Sequence, residues 1–151
     1  MFKLKQNQRG LATLETTLVL PILCLLFFAT AEFSRLLYQY NALTSAVRGA
    51  SRYIISNSRN GTTITEITEL MTSNATALLT YGDVNSDNTS PLLPNLAATT
   101  IDINVNGEFI TLTASYPWQP IFAELLPSFV SDTSFDLSFP LVTTYTMRGL
   151  E

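Results

Sequence analysis

Residues 10–32 read GLATLETTLVLPILCLLFFATAE, and this stretch decides the fold. From Leu11 to Ala31 the residues are nearly all apolar or small, with Glu15 and Pro21 as the exceptions. At about 1.5 Å per residue, a helix of this length just spans a hydrocarbon core of roughly 30 Å. The stretch therefore predicts a membrane-spanning helix, loosened near Pro21 because proline cannot donate its backbone hydrogen bond.

Glu15 stands near the start of this apolar run. An ionised carboxylate in hydrocarbon costs several kcal/mol unless it has a partner, so an acid at this depth indicates a function. Lys3, Lys5 and Arg9 precede the run, which favours a cytoplasmic N-terminus by the positive-inside tendency.

The predicted helix continues beyond the membrane. Apolar and small residues recur there at three- and four-residue steps and form one stripe: Phe33, Leu36, Leu37, Tyr40, Leu43, Thr44, Val47, Ala50, Ser51 and Ile54. The pattern predicts one helix of about 45 residues whose second half needs a covering domain, since an isolated amphipathic helix is marginal. Glu32 and Arg35 are spaced to form an ion pair on this helix.

A second helix is predicted after the break at Asn60-Gly61. Residues 63–66, TITE, fit a capping box, and Gly82 is a natural terminator. The apolar face of this helix would contain Ile64, Ile67, Leu70, Met71, Ala75 and Leu78. Residues 83–97 resemble a polar loop.

The hydrophobic period then changes to two. Apolar residues alternate on both sides of Asn106-Gly107, which predicts a hairpin with those two residues as its turn, Ile103 facing Ile110 and Ile101 facing Leu112. Residues 121–126 suggest a helical turn. A last strand is predicted over residues 133–148, with Pro140 at an edge or a bulge. The predicted fold class is α+β.

Composition excludes several functions. The chain has no histidine and one cysteine, Cys24, which removes intrachain disulfides, the usual zinc sites and Cys/His or Ser/His/Asp catalysis. We expect no enzyme activity and no cofactor. Of eight basic residues three lie in positions 1–10, so their removal would leave five against twelve acids. Such an acidic domain argues against nucleic acid as a partner.

Three interpretations compete for residues 1–31. A secretory signal peptide would be cut after Ala29-Thr30-Ala31, and a plain anchor would not be cut. The third is a prepilin-type leader cut after Gly10, where glycine permits an extended backbone at the cleavage site. Cleavage there would expose an amine on Leu11, about one turn from Glu15, and a neighbouring subunit's Glu15 could neutralise it. This interpretation accounts for both Gly10 and Glu15.

Four segments carry a family resemblance: RGLATLE at 9–15, LVLP at 18–21, EFSR at 32–35 and NALTSAVRGASRY at 41–53. In this order they resemble the TadE-like family, the minor pseudopilins of bacterial tight-adherence (Flp-type) pili. The resemblance is dense over residues 9–55. It implies a pilin-like inner-membrane prepilin that is processed after Gly10 by a prepilin peptidase and primes a pilus or sits at its tip. Thr16 follows Glu15 where the major pilins carry an aromatic residue.

Two further groups are candidates for binding. Arg48 and Arg52 lie one turn apart around Gly49, either as solvated charges or as contacts to acidic groups of the domain or of a partner pilin, which Gly49 would let approach closely. Asp83, Asn85 and Asp87 begin like a calcium loop, but Pro94 stands at the position of the bidentate glutamate, so a solvated turn is the simpler interpretation. Trp118, between two prolines, is expected to cover the core.

The predicted organisation is a leader at 1–10, a transmembrane helix at 11–32, an amphipathic continuation at 33–58 and an α+β domain at 59–151. The domain would face the periplasm or be carried into a pilus. The expected partners are other pilins and pseudopilins, the prepilin peptidase and the inner-membrane assembly platform. The alternative is a tethered or secreted periplasmic binding or adhesin domain that is not incorporated in a pilus.

Overall fold

The computed structural model describes residues 9–60, 63–64, 67–85, 90–122, 124–127 and 134–148 of the 151-residue chain. The chain divides into two compact units, Met1–Arg35 and Leu36–Glu151. Helix α1, Arg9–Asn57, contributes to both units.

In the first unit, α1 exposes its apolar side chains on all sides. The large apolar residues between Leu14 and Phe28 are 43–75 % exposed. Thr16 and Thr17 donate their hydroxyl hydrogen bonds to the carbonyls of Ala12 and Thr13, so these polar groups are satisfied within the helix. Pro21 lies inside α1 without ending it. By length and composition α1 is able to cross a membrane, which confirms the predicted long apolar helix.

In the second unit, one face of α1 enters the core. Its buried residues are Gln39, Leu43, Val47, Ala50, Ser51 and Ile54, which follow the helical period. The predicted stripe is correct from Leu43 onward and at Leu36, which packs against the core. It is wrong at Phe33, Leu37 and Tyr40, which are exposed, and the polar Gln39 is buried instead. The core of the second unit covers this face, which an isolated helix would expose to water.

Helix α2, Glu69–Tyr81, starts later than predicted. Its N-cap is Thr68, whose hydroxyl accepts from the backbone N–H of Met71 at 3.4 Å. The predicted capping box is therefore wrong: Thr63 and Ile64 form a short strand, and residues 65–66 lie outside the described part. Gly82 ends the helix in the left-handed conformation at φ 77°, as predicted.

The described residues also form seven short or medium strands. They are β1 (Arg59–Asn60), β2 (Thr63–Ile64), β3 (Thr100–Asn106), β4 (Phe109–Trp118), β5 (Leu125–Pro127), β6 (Ser134–Asp136) and β7 (Phe139–Arg148). The main sheet is antiparallel in the order β3-β4-β7, while β1 pairs with β2 and β5 with β6. The fold is α+β, with two helices and a three-stranded antiparallel sheet, as the sequence predicted.

The predicted hairpin forms, but its register is wrong. Asn106 pairs with Phe109, so the turn residues are Gly107 and Glu108 rather than Asn106 and Gly107. Gly107 has φ 61°, which fits the first central position of a type II′ turn. Consequently Ile103 faces Leu112 and not Ile110. The apolar face of the hairpin is still formed. The register shift moves the partner of each residue by two positions, and side chains two positions apart lie on the same side of the sheet.

The last strand also differs from its prediction. The predicted strand over 133–148 is divided into β6 and β7, and residues 125–127 form β5 instead of the expected helical turn. Pro140 lies in β7, an edge strand, as predicted. Ahead of β7, Asp136 accepts from the Ser138 hydroxyl at 2.6 Å and from its N–H at 2.8 Å, and these bonds lower the pKa of Asp136.

The core of the second unit joins α1, α2, the sheet and residues 93–96. The sheet contributes the alternate residues of β4, from Ile110 to Trp118, each at most 4 % exposed. Leu93 and Leu96 are equally buried, so this part of the predicted polar loop belongs to the core. Trp118 packs at 5.1 Å from the ring of Phe139, which confirms its expected core position.

Candidate assembly site

The three residues of the predicted cleavage and assembly site lie in the first turns of α1. Gly10 and Leu11 have helical backbone, and Glu15 follows Leu11 by four residues, which places the two positions on one face. A Cβ added to Gly10 would meet nothing within 4 Å.

Glu15 is exposed and makes no hydrogen bond or ion pair with any residue that the structure describes. It is the one charged residue in the sequence between Leu11 and Ala31. The hydroxyls of the adjacent Thr16 and Thr17 donate to backbone carbonyls of α1 and not to the Glu15 carboxylate. In an apolar medium, a group that pairs with the Glu15 carboxylate would have to come from outside the described residues.

Glu32 and Arg35 form the ion pair that their spacing predicted. Arg35 Nη2 lies 2.6 Å from Glu32 Oε1, and Nε donates to the same oxygen at 3.2 Å. The Glu32 side chain is 13 % exposed and that of Arg35 25 %. Charge neutralisation within one helical turn distinguishes Glu32 from Glu15 on the same helix.

Arg48 and Arg52 lie in different environments. The guanidinium of Arg48 lies 5.5 Å from the centre of the Tyr145 ring, a cation–π distance, so Arg48 contacts β7 of its own domain. Arg52 is exposed and has no polar partner in the described ranges. The proposed partner contact of these residues therefore remains a prediction, and Arg52 is the freer of the two arginines.

Gly49 borders a groove of 410 Å³ on the surface of the second unit. Tyr38 and small residues of α1 form one wall, and Leu78, Gly82 and Leu92 form the other. Gly49 itself is exposed, and a Cβ there would meet nothing within 4 Å. The glycine is therefore not required for packing inside this chain.

The calcium candidate is only partly described. Asp83 Oδ1 accepts the N–H of Asn85 at 3.0 Å, which is the hydrogen bond of an ordinary Asx turn. Asp87 lies outside the described residues. Among those that are described, no group of three or more acidic, cysteine or histidine residues could hold a metal ion.

The burial of the polar residue Gln39 was not predicted. Gln39 is 4 % exposed, and its Oε1 has no hydrogen-bond partner among the described residues. Its spacing to Leu43 and Val47 would have placed it on the buried face, but its amide argued for solvent.

The long, exposed apolar start of α1 is consistent with a membrane-anchored, single-pass protein. Residues 10–52 match the family model described as TadE-like protein, which confirms the resemblance seen in the sequence. No curated protein and no solved structure gives a significant match. The match covers part of the N-terminal helix and suggests involvement in a tight-adherence pilus system.

Proposed function

We propose that the chain is a minor pseudopilin, cleaved after Gly10 and assembled by packing of α1 against the helices of neighbouring subunits. The observation that carries the proposal is Glu15, a lone carboxylate in an apolar helix with no partner among the described residues. Cleavage before Leu11 creates a positive amine about one turn away. In the assembly the Glu15 carboxylate of one subunit pairs with the Leu11 amine of the next.

The energetics favour this arrangement. A buried, unpaired carboxylate costs several kcal/mol, and removal of one partner from a buried pair typically costs about 3–5 kcal/mol. A misregistered neighbour would leave both charges unpaired, so the pair selects the stacking register as well as holding it. The apolar side chains exposed around α1 supply the surface that neighbouring helices cover.

Continuity of α1 also supports cleavage at Gly10 over cleavage before Glu32. The helix runs without interruption from Arg9 to Asn57, and Glu32 pairs with Arg35 one turn later. A cut after Ala31 would separate the apolar segment from the helix that continues it. A cut after Gly10 leaves all of α1 beyond its first two residues attached to the domain.

The first experiment is the mass of the mature protein in membranes and in the soluble fraction. Leu11 as the first residue supports the pseudopilin. Met1 as the first residue indicates an uncut anchor, and Glu32 indicates a secreted domain. Either result would favour the alternative, a tethered or secreted binding domain.

The second experiment substitutes Glu15. Glu15→Gln keeps the shape of the side chain and removes its charge, so we expect normal membrane insertion and loss of incorporation into pili. Glu32→Gln is the matched control, since that carboxylate already has Arg35 as its partner. Wild-type incorporation of the Glu15→Gln protein would refute the proposed pairing.

A further inference from the structure

The two edges of the main sheet differ in their protection. The edge strand β7 contains Pro140, which lacks a donor, whereas β3 reads TIDINVN and contains no proline, lysine or arginine. All residues of β3 pair regularly with β4, without a bulge. No other strand in the described ranges pairs with its outer side. Natural edges are usually blocked by proline, bulges or charged side chains, especially lysine. β3 has no proline, bulge or lysine, and its one charged side chain, Asp102, lies on the face opposite the core.

The turn determines which backbone groups of β3 point outward. Because the loop contains Gly107 and Glu108, Asn106 and Phe109 form the hydrogen-bonded pair that closes the hairpin. Bonding then alternates along β3, so Asn104 and Asp102 also bond toward β4. The N–H and C=O groups of the intervening residues point away from the sheet, and these residues are Ile101, Ile103 and Val105.

We propose that this edge pairs antiparallel with β3 of a second copy of the chain, in the register that is symmetric about Ile103. Ile103 then faces its counterpart, and Ile101 faces Val105 of the other copy. Every outward N–H and C=O of the three residues obtains a partner. The occupant is a second copy because the strand is complementary to itself in this register.

Neighbouring registers are less favourable. Symmetry about Asp102 would set two carboxylates directly opposite each other and leave Val105 without a strand partner. Symmetry about Asn104 would leave Ile101 opposite the turn. A shift by one residue would oppose outward groups to groups already bonded within the sheet.

Side chains on both faces agree with the same register. On the core-facing side, Ile101 and Ile103 are partly buried and Val105 is 42 % exposed, so the pairing continues an apolar row across both copies. On the outer face, exposed Asp102 lies opposite Asn104, so no like charges meet. This contact joins the domains and is independent of the helix packing proposed above.

The test uses the full chain in membranes, with Cys24→Ala as background and two variants that carry different tags. Asp102→Cys and Asn104→Cys face each other in a non-hydrogen-bonded pair, where the Cα atoms are about 4.5 Å apart and a disulfide can form. We expect an oxidised heterodimer on coexpression. Either variant alone should give none, since its own copies are offset by about 7 Å along the strand. Equal cross-linking of a single variant, or none on coexpression, would overturn the register.

A third substitution tests the backbone contact in the same reporter pair. Val105→Pro removes an outward N–H that bonds to no strand of its own chain, so cross-linking should be lost. Val105→Thr keeps the N–H and should retain it. Fluorescence of the single tryptophan, Trp118, monitors the fold of both. Cross-linking that persists in a folded Val105→Pro protein would refute the edge pairing.

Discussion

Arg48 and Tyr145 connect the N-terminal helix to the last strand, with the guanidinium carbon 5.5 Å from the ring centre. Arg48 lies on the exposed side of α1, and Tyr145 is a partly buried residue of β7. The contact uses an arginine that the sequence offered as a partner residue, and it leaves Arg52, one turn later, exposed and without a polar partner in the described part of the chain.

Arg48→Ala should therefore reduce stability, while Arg52→Ala should not. Loss of an exposed cation–π contact costs about 0.5–1 kcal/mol, and a surface substitution without such a contact stays within about 0.5 kcal/mol. Urea unfolding of the full chain in detergent, followed by Trp118 fluorescence, measures both. Arg48→Lys keeps the charge and serves as the control. Equal destabilisation by the two alanine variants would contradict the assignment.

Gly49→Ala separates folding from assembly. The added Cβ meets nothing within 4 Å, and alanine is favoured over glycine inside a helix, so the domain should gain about 0.5–1 kcal/mol. If a neighbouring subunit's backbone approaches Gly49, pilus incorporation of Gly49→Leu should fall although the fold is intact. Ser45→Leu, on the same groove wall, distinguishes a filled groove from a close approach at the glycine. Wild-type incorporation of Gly49→Leu would exclude a close contact there.

The sequence predicted α1 and its buried stripe from Leu43 to Ile54 because helical periodicity records burial directly. The sequence did not predict that Gln39 is buried and that Leu37 and Tyr40 are exposed, because the burial of these side chains follows their position on the helix and not their polarity. Which apolar residues the domain covers depends on the extent of its surface, and no local pattern contains that information. Likewise, Leu93 and Leu96 are buried by packing against distant strands.

The hairpin illustrates a smaller error of the same kind. Asn-Gly is a strong signal for the two turn positions, yet Gly107 occupies the first and Glu108 the second. The pairing of β4 with β7 extends from Phe109 to Arg148, and Arg148 binds Glu108 at 2.7 Å. Contacts distant in sequence therefore favour the shifted turn, and a pattern limited to residues 101–114 could not include them.

Gly107→Ala should destabilise the hairpin. Its φ of 61° is left-handed, and a residue with a Cβ loses about 1–2 kcal/mol in that conformation. Glu108→Ala is the matched control in the same turn, since it removes an exposed ion pair worth at most about 1 kcal/mol. Urea unfolding of both variants gives the comparison. A larger effect at Glu108 than at Gly107 would argue against the observed turn.

For the proposed assembly site, the sequence predicts Gly10, Leu11 and Glu15, and the structure adds that Glu15 has no partner among the described residues. The remaining part of the site, the surface of a neighbouring subunit, lies outside one chain and is not encoded by any local pattern.

Gly10→Ala tests the role of the glycine in processing. The Cβ fits α1 without a contact inside 4 Å, so insertion and folding should not change. Alanine favours the helix by about 0.5–1 kcal/mol, which makes extension of the chain at the cleavage site less frequent and should slow cleavage about two- to fivefold on this account alone. A bulkier Gly10→Val should abolish it. Intact mass after a pulse of expression measures the fraction that begins at Leu11.

Gly49→Ala makes the same chemical change farther along α1, and it should leave processing at the wild-type rate. A uniform slowing in both variants would point to a general effect of helix stability rather than to the cleavage site. Wild-type processing of Gly10→Val would show that the peptidase does not require the glycine, and cleavage after Gly10 would then lose its main sequence argument.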